Sequence, residues 1–547
     1  MIPRHHHAAT TGRADHATGS EQGRTPRQDA PPQADVLVVG GGINGVGIAR
    51  DLAGRGLRVV LCERDDLAAH TSSSSTKLIH GGLRYLEHRE FGLVRKALQE
   101  RELLLRAAPH ITAALRFVMP HAPHMRSAWL IRLGLFLYDH LARRAWLPAS
   151  GGLDLRRHPA GAPLRADYAR GFVYSDGWVD DARLVALCAV DAAERGACVL
   201  THTACLRAER AADAWTATLQ GEGGPPTQLR ARALVNAAGP WAERFLKTAL
   251  HEADGAAPRE RGALRLVRGS HIVVPRLFDH GDAYILQADD RRIVFAIPYE
   301  HDFTLIGTTD VEVDDPAAGA HVSEAEIAYL CAQVNRYFRA AVEPAQVVWS
   351  YAGVRPLLED HAGDPAAATR DYRLEFDVSG APLLTVWGGK ITTFRKLAEQ
   401  AADRLCAALG EPRPAWTATA TLPGGDLGAW IGPLRRPDED FARFVEAVAR
   451  RVPWLPGALA QRYARAYGSR IDQILRAADA SQAGALRDLG EEVAPGLYEA
   501  ELRYLQQVER ACCADDVLWR RSKLGLHLTP AQRAAVAAWF DRQQPKA

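Results

Sequence analysis

The chain contains few lysines, and its cysteines do not occur at the spacings typical of metal-binding motifs. Seven of its 67 basic residues are lysine, and the formal net charge is +2. A charge so close to neutrality gives no argument for nucleic-acid binding or for a strongly acidic partner. The cysteines are Cys62, Cys188, Cys198, Cys205, Cys331, Cys406, Cys512 and Cys513. They form no C-x-x-C pair and show no metal-ligand spacing, so the sequence predicts no metal site and favours a reducing compartment.

Long apolar runs are also missing. No stretch reaches the roughly 18 to 20 residues of a membrane-spanning helix, and the N-terminus lacks the apolar segment of a signal peptide. Residues 1–34 contain no Leu, Val, Phe, Tyr or Trp. Such a segment cannot bury enough apolar surface to fold, so we expect a disordered tail. With 547 residues in all, the chain should form two or three domains.

A β-α-β unit follows the tail. DVLVVGGG, which begins at Asp35, is typical of a buried parallel strand, and INGVGIARDLAGRG and LRVVLCER continue as helix and strand. Gly40, Gly42 and Gly45 satisfy G-x-G-x-x-G, which permits a tight turn and close approach of backbone to a pyrophosphate. Glu63 lies 18 residues after Gly45, where a carboxylate can accept ribose hydroxyls. The unit predicts a dinucleotide site.

The stretch TSSSSTKLIHGGLRYLE, residues 71–87, decides which dinucleotide is expected. Its hydroxyls could donate hydrogen bonds to a pyrophosphate, and His80-Gly81-Gly82 would let main chain lie against a flat ring system. The alternative is an exposed Ser/Thr linker, but the continuation LIHGGLRYLE is apolar and specific in a way that linkers are not. The loop therefore favours FAD over a nicotinamide cofactor.

The rest of the chain divides into two kinds of pattern. ARALVNAAGPWAERFL at 231–246 reads as a buried strand running into a helix, and short β-rich runs between 271 and 310 suggest an antiparallel sheet. After LPGG at 422–425 the pattern becomes mostly helical. We therefore place a domain boundary near residue 411.

Taken together, these stretches resemble the FAD-dependent, respiratory-chain-linked glycerol-3-phosphate dehydrogenases. The likeness rests on VVGGGINGVGIARDLAGRG and TSSSSTKLIHGGLRYLE, and covers nearly all of residues 35–540. It continues through YSDGWVDDARL, LVNAAGPW, RGSHIVVP, AYILQADDRRIVFAIPY, IGTTDVE, YAGVRPL, TRDY, WGGKITTFRKLAE and DDVLWRRSKLGL. The N-terminal tail departs from the family pattern.

The resemblance implies an α/β fold, in which a discontinuous Rossmann-like FAD-binding domain carries an antiparallel-sheet cap and is followed by a helical domain. The oxidoreductase core would span 35–410 and the C-terminal helical domain 411–547. Within the core, the FAD-binding parts would be about 35–125, 171–262 and 351–410, and the cap parts about 126–170 and 263–350.

The implied reaction is oxidation of sn-glycerol 3-phosphate to dihydroxyacetone phosphate by hydride transfer to FAD, with electrons passed to membrane quinone. An oxidase that gives peroxide from oxygen stays open as the alternative. A D-amino-acid-type oxidase and a flavin-binding sensor are disfavoured, because neither needs several phosphate-directed arginines. The resemblance also implies a peripheral protein of the cytoplasmic face of the inner or plasma membrane. Whether it forms a homodimer stays open.

The resemblance also implies a set of site residues. Those near the substrate match Arg84, Tyr85, His271, Arg355, Arg370 and Lys390. Arg forks suit phosphate oxygens. Because Arg is effectively never deprotonated, the first candidate for the base is His271 and the second is His80. Arg355 and Lys390 complete the expected catalytic set, since Lys390 could hold negative charge at the reduced flavin or on the developing alkoxide. The motifs assign cofactor contacts to Gly40, Gly42, Ile43, Asn44, Gly45, Glu63, Arg64, Thr71, Ser72, Ser73, Ser74, Lys77, Leu78, His80, Gly81, Gly82, Ala238, Gly239, Gly353, Arg355, Gly389, Lys390, Ile391 and Thr392.

One further segment bears on the membrane. AWLIRLGLFLYDHLARRAW, residues 128–146, has apolar residues at helical spacing and arginines on both sides. It is too short to span a bilayer and carries Arg132 and Asp139. Such a helix can lie in the interface of a membrane with its apolar face down, although an ordinary core helix would read similarly. The quinone acceptor favours the membrane reading, and the C-terminal helices are a competing site.

Overall fold

A computed structural model of the chain describes residues 30–86, 89–123, 125–252, 264–290, 292–358, 371–477 and 485–543. Most of the predicted tail and the predicted substrate residue Arg370 lie outside these ranges, as does the side chain of Arg84.

Strands and helices alternate through the first part of the chain, and helices dominate the last. The strands are β1 (Gln33–Val39), β2 (Val59–Cys62), β3 (Leu78–Ile79), β4 (Thr112–His121), β5 (Gly151–Asp154), β6 (Arg170–Val179), β7 (Cys198–Leu200), β8 (Thr203–Arg210), β9 (Trp215–Gly221), β10 (Thr227–Asn236), β11 (Leu250–Glu252), β12 (Leu264–Pro275), β13 (Ala283–Gln287), β14 (Ile293–Tyr299), β15 (Phe303–Gly307), β16 (Val311–Glu312), β17 (Trp349–Leu358), β18 (Arg373–Asp377), β19 (Leu383–Trp387), β20 (Glu492–Ala494) and β21 (Leu497–Tyr498). The helices are α1 (Ile43–Gly54), α2 (Phe91–Ala107), α3 (Ala128–His140), α4 (Asp181–Glu194), α5 (Ala242–Thr248), α6 (Glu324–Asn335), α7 (Phe394–Ala408), α8 (Gly428–Ile431), α9 (Pro437–Arg451), α10 (Gly457–Tyr467), α11 (Ile471–Ala477), α12 (Glu499–Gln507) and α13 (Pro530–Gln543).

The first sheet is built around parallel strands. Strand β1 lies between β2 and β10, parallel to both, and β10 also pairs with β19. Successive side chains of β1 point to opposite faces, and both faces are covered. Val36 and Val38 join the apolar cluster that contains residues of α1, α4 and α7, while Leu37 and Val39 join the cluster that contains residues of α5. Burial on both sides explains why the run DVLVV is apolar throughout.

The second sheet is mainly antiparallel, in the order β16-β12-β15-β14-β13-β4-β6-β3, with β17 paired to β12 and β5 to β6. Strands β4, β6 and β17 belong to this sheet, although the sequence division assigns nearly all of their residues to FAD-binding parts. Their apolar sequence patterns would be the same in either sheet. The sheet that each strand joins is decided by pairing with strands that are distant in the chain. The predicted class, a Rossmann-like α/β domain with an antiparallel cap and a helical C-terminal domain, is confirmed.

Buried ion pairs connect the C-terminal helices to the first domain. Helices α8–α13 enclose a core of their own. Arg183 of α4 donates two hydrogen bonds to Glu509, one of them at 2.9 Å, and both side chains are buried. Arg521 donates to both oxygens of Asp66, at 2.7 and 2.8 Å. Because both charges of each pair are buried away from water, each is compensated mainly by its partner. Removing one partner would leave an uncompensated buried charge at this interface.

Helix α3 has an exposed apolar face. Trp129 is 68% exposed and Phe136 55%, and Leu130, Leu133 and Leu137 lie beside them at helical spacing. The opposite face is anchored, because the buried Tyr138 hydroxyl donates to Asp176 at 2.7 Å. Within the described residues, no helix is both long and apolar enough to cross a membrane.

Candidate functional site

A cleft of about 600 Å³ opens where the two sheets meet. One side is formed by the turn after β1, the segment after β2 and the turn after β10. The other side carries residues of β12 and β17, and the turn after β19 closes the end between them. Since the carboxyl ends of parallel strands in an open α/β sheet are the usual ligand crevice, the cleft lies where the fold predicts it.

The glycine turn is fixed by close backbone contacts. Gly40 has φ +115°, a conformation that residues with a side chain rarely adopt. A Cβ at Gly45 would lie 1.9 Å from the carbonyl oxygen of Gly40, so a larger residue would force the turn apart. Gly42 caps α1 without a side chain, and the first helical amide, that of Ile43, donates to Ser72 Oγ at 3.0 Å. The turn therefore directs the N-terminus of α1 into the cleft, with Ser72 bound to its first amide.

Glu63 is held at the end of β2 by its neighbours. Its Oε2 accepts the Gly41 amide at 2.6 Å and its Oε1 accepts the Asp65 amide at 2.9 Å. Each carboxylate oxygen keeps a lone pair for a ribose hydroxyl. Nearby, Arg64 stacks over the Trp241 ring at 4.4 Å, and His70 contacts the same ring. At this end of the cleft, the carboxylate of Glu63 is therefore a fixed hydrogen-bond acceptor, and the Trp241 ring provides an aromatic surface near it.

The hydroxyl-rich loop lies along the cleft, although two of its predicted residues, Ser73 and Lys77, do not line it. Thr71, Ser72 and Ser74 line it, and Thr71 Oγ1 donates to the Val354 carbonyl at 2.7 Å. Lys77 turns away instead. Its Nζ donates to Asp181 Oδ1 at 2.8 Å, and its side chain is 1% exposed. Lys77 therefore neutralises a buried carboxylate below the loop and is not a cleft residue.

His271 and Arg355 project from the same face of adjacent strands. In the β12–β17 ladder His271 lies opposite Tyr351, and Arg355 lies opposite Val267. His271 Nε2 is 2.9 Å from Thr76 Oγ1, and its ring stacks on Tyr351 with centroids 4.9 Å apart. Arg355 donates to Thr308 Oγ1 at 3.0 Å and also pairs with Asp310. The strand register thus fixes a histidine near an arginine at the cleft wall.

Electrostatics keep His271 uncharged. Burial lowers its pKa well below 6.5, and the positive charges of Arg355 and Lys77 lower it further. At neutral pH the ring is therefore a neutral imidazole, the form that can accept a proton. Lys390, which follows β19, adds a cation on another side of the cleft, where its Nζ lies 3.6 Å from the centroid of the Tyr85 ring.

Not every predicted residue lines the cleft. Ser73, Gly45, Gly81 and Gly82 support it from behind. The Gly81 amide donates to the Tyr138 hydroxyl at 2.8 Å, and a Cβ at Gly82 would collide with the Tyr85 ring at 2.0 Å. The cofactor residues that do line it are Gly40, Gly42, Ile43, Asn44, Glu63, Arg64, Thr71, Ser72, Ser74, Leu78, His80, Ala238, Gly239, Gly353, Arg355, Gly389, Lys390, Ile391 and Thr392.

Several lining residues were missed by the sequence prediction. Trp241 lies in the quoted run LVNAAGPW, Thr308 in IGTTDVE and Phe295 in RIVFAIPY, and all three line the cleft. Nothing in the local pattern distinguishes them from core or surface residues of a strand end. Their role follows from which strand ends the fold brings together.

The lining fits an extended dinucleotide that carries a flat ring system. The helix N-terminus and Ser72 suit a pyrophosphate, and Glu63 suits a ribose. Farther along, Gly353 and Gly389 leave backbone uncovered, and a Cβ at Gly389 would lie 2.9 Å from Asn44 Nδ2. The volume also falls in the range of ligand pockets that enclose most of their occupant.

Comparisons with known proteins agree with this geometry. The model of the family "FAD dependent oxidoreductase" matches residues 35–395, and that of the "C-terminal domain of alpha-glycerophosphate oxidase" matches residues 415–542. The chain is 50% identical to a glycerol-3-phosphate dehydrogenase of Pseudomonas aeruginosa, over 96% of this chain and 98% of that protein. It is 48% identical to a D-erythritol 1-phosphate dehydrogenase of Brucella abortus, over 93% and 98%. A solved glycerol-3-phosphate dehydrogenase of Bacillus halodurans, complexed with FAD, is similar with a TM-score of 0.72 and 26% identity, over 93% and 90% of the two chains.

Proposed function

Since the chain belongs to the FAD dependent oxidoreductase family and carries the C-terminal domain of the alpha-glycerophosphate oxidase type, it is an FAD-dependent enzyme, and we propose that it oxidises sn-glycerol 3-phosphate to dihydroxyacetone phosphate. The observation that carries the proposal is the meeting of neutral His271 with cationic Arg355 and Lys390 in a dinucleotide cleft. FAD, when bound, supplies the acceptor for the hydride of the alcohol carbon.

The chain's own residues divide the remaining work. Arg355 and Lys390 bind the phosphate oxygens, since charge-assisted hydrogen bonds contribute about 1.5–3 kcal/mol each. Asp310 offsets part of the Arg355 charge and holds its side chain in place. His271 Nε2 accepts the hydroxyl proton once the substrate hydroxyl replaces that of Thr76. His80 lines the same cleft and is the second candidate for this role.

An anaerobic reduction tests the reaction and its acceptor. The FAD-loaded protein should lose its visible flavin absorbance on addition of sn-glycerol 3-phosphate, and a soluble quinone should restore it faster than air. Glycerol should have a kcat/KM at least about 100-fold lower, because two charge-assisted bonds are lost. D-Erythritol 1-phosphate is the matched competitor. Faster reduction by that compound would move the substrate assignment to it, faster recovery in air with peroxide would favour the oxidase, and no bleaching would overturn the proposal.

The quinone acceptor would bring the protein to a membrane surface, and we propose that α3 makes the contact. Its exposed Trp129 and Phe136 face away from the protein, and Arg126, Arg132 and Arg143 lie on or beside the helix to meet anionic headgroups. An apolar face of this kind on an otherwise water-facing helix is unfavourable unless it is covered.

Vesicle binding should depend on that face. Trp129→Asp with Phe136→Asp should lower the affinity for vesicles containing anionic lipid by at least about tenfold, because each buried aromatic contributes about 1.5–3 kcal/mol. Co-sedimentation of the FAD-loaded protein measures this. Val378→Asp is the control, since Val378 is 59% exposed in the turn between β18 and β19. Unchanged binding of the double variant would exclude α3 and direct attention to the C-terminal helices.

A further inference from the structure

A second group of chemically active side chains lies away from the cleft, where the C-terminal domain meets the turn between β7 and β8. His202 belongs to that turn, and Cys512 and Asp516 belong to the segment after α12. One ligand atom from each lies within 4.8 Å of those of the other two. The three come together from positions 310 residues apart in the chain (512 minus 202), which is why cysteine spacing gave no sign of them.

His202 is oriented as a metal ligand would be. Its Nε2 is buried and has no hydrogen-bond partner among the residues that the structure describes. Its other nitrogen, Nδ1, lies 3.7 Å from Glu222 Oε2. This separation is longer than a hydrogen bond, but a carboxylate on that side favours a proton on Nδ1 and leaves Nε2 available to a metal; metal-binding histidines usually have a carboxylate or carbonyl beside their second nitrogen.

The backbone holds His202 in place. Its φ is +49°, its amide donates to the Asp65 carbonyl at 2.9 Å, and its own carbonyl accepts the Glu222 amide at 3.0 Å. These contacts fix the main chain from which the ring projects, and in this position the buried Nε2 lies within 4.8 Å of the ligand atoms of Cys512 and Asp516.

Asp516 is also fixed, but with one weak bond. Its Oδ2 accepts the amides of Cys512 and Cys513, at 2.6 and 3.1 Å. Its Oδ1 accepts from Arg520 and from the Cys513 thiol, the latter at 3.2 Å. A thiol is a weak donor, so this last bond is the one that a cation can replace. Arg520 also donates to Asp66. This second bond holds the Arg520 side chain in position if its contact with Asp516 lengthens.

We propose that His202 Nε2, the Cys512 thiolate and Asp516 Oδ1 bind one Zn²⁺ ion. Imidazole, thiolate and carboxylate are the ligand types that Zn²⁺ takes in proteins. Cys512 is exposed, so the fourth position faces solvent and holds water. Binding releases the thiol proton of Cys512 to solvent and involves no change of oxidation state.

The site would connect two parts of the molecule that matter for cofactor binding. The amide of Thr203, next to His202, donates to the Glu63 carbonyl at 2.7 Å. A metal bound at this position would clamp the C-terminal domain onto the segment that supports the ribose-binding carboxylate.

Cobalt titration of the tag-free, FAD-loaded full chain tests the proposal. Chelator-treated protein should bind one Co²⁺ per chain, with thiolate charge-transfer absorption and the red d–d bands of a tetrahedral ion, which lie beyond the flavin absorbance. Zn²⁺ should abolish these bands. The three histidines at 5–7 could bind Co²⁺ too, but without the thiolate absorption.

Variants separate this site from casual binding. Cys512→Ser should weaken metal binding at least about 100-fold, and Glu222→Gln should weaken it about tenfold at most. Cys513→Ala is the matched control and should bind at least as tightly as the parent, since it only removes the weak donor that the cation replaces. His202→Asn, which tolerates positive φ, should remove the site, and FAD content confirms that each variant is folded. Equal binding by Cys512→Ser and the parent, or a Co²⁺ complex without thiolate absorption, would overturn the proposal.

Discussion

Replacing His271 by Asn should lower kcat about 10²- to 10⁴-fold, the range that a positioned general base contributes. Asn keeps a polar group beside Thr76 but cannot take a proton. Because Arg355 and Lys390 are the proposed phosphate ligands and are unchanged in this variant, KM should change little. Steady-state assays with a soluble electron acceptor give both constants, and the FAD content of the purified variant shows whether the site is intact.

The pH dependence of kcat/KM gives a second test of the role proposed for His271. The pKa of His271 is lowered by burial first, and then by Arg355 and Lys77. The neutral, active form of His271 therefore persists below pH 6.5. In a plot of kcat/KM against pH, the decrease on the acid side should therefore have its midpoint below pH 6.5. His271→Asn should remove this decrease. If His80→Asn lowers kcat instead and His271→Asn does not, the base is His80.

Replacing Glu509 by Ala should destabilise the protein by about 3–5 kcal/mol, because it leaves a buried guanidinium without its anion. Arg183 is 1% exposed and Glu509 fully buried. Arg183 would keep its bond to the Ala466 carbonyl, which satisfies one N–H but not the charge. Urea unfolding of the FAD-loaded protein, followed by tryptophan fluorescence and circular dichroism, gives the difference.

Two further variants make this result specific. Arg503→Ala removes an exposed pair with Glu499 at 2.7 Å and should cost less than about 1 kcal/mol. The double change Arg183→Met with Glu509→Leu should recover most of the stability, since apolar replacements of a buried pair are often neutral. A loss below 1 kcal/mol for Glu509→Ala would show that Arg183 finds another anion or water when Glu509 is removed.

The sequence predicted best what is local in the chain. The glycine turn and Glu63 lie within one β-α-β unit, so spacing alone was enough to place them. Lys77 shows where local reading fails. A lysine in a hydroxyl-rich loop suggested a phosphate contact, but its partner is Asp181, 104 residues away. The assignment of the residues of β4, β6 and β17 to FAD-binding parts was wrong for the same reason, because the sequence of an apolar strand does not show which strand it pairs with.

The residues proposed to bind the substrate and accept its proton were predicted by another route. His271 lies within β12, Arg355 lies within β17 and Lys390 follows β19, and no periodicity connects them. They were predicted from the family resemblance. The β12–β17 register explains why His271 and Arg355 lie on the same face of the second sheet. Arg84 and Arg370 were named in the same way and stay predictions, since the side chain of one and the whole of the other lie outside the described residues.

The pairing of β1 with β10 and of β10 with β19 also has a consequence for synthesis of the protein. The apolar strand at Gln33–Val39 leaves the ribosome long before its partner at Thr227–Asn236, and the cleft is complete once Thr392 has followed. At about 5–20 residues per second, the interval from the glycine turn to Thr392 is roughly 20–70 s. Strand β2 follows soon after β1 and can pair with one of its edges, but the other edge stays open until β10 has followed, and the cofactor site stays incomplete until Thr392. Loading of FAD is therefore a late event, and the growing chain needs protection from aggregation until then.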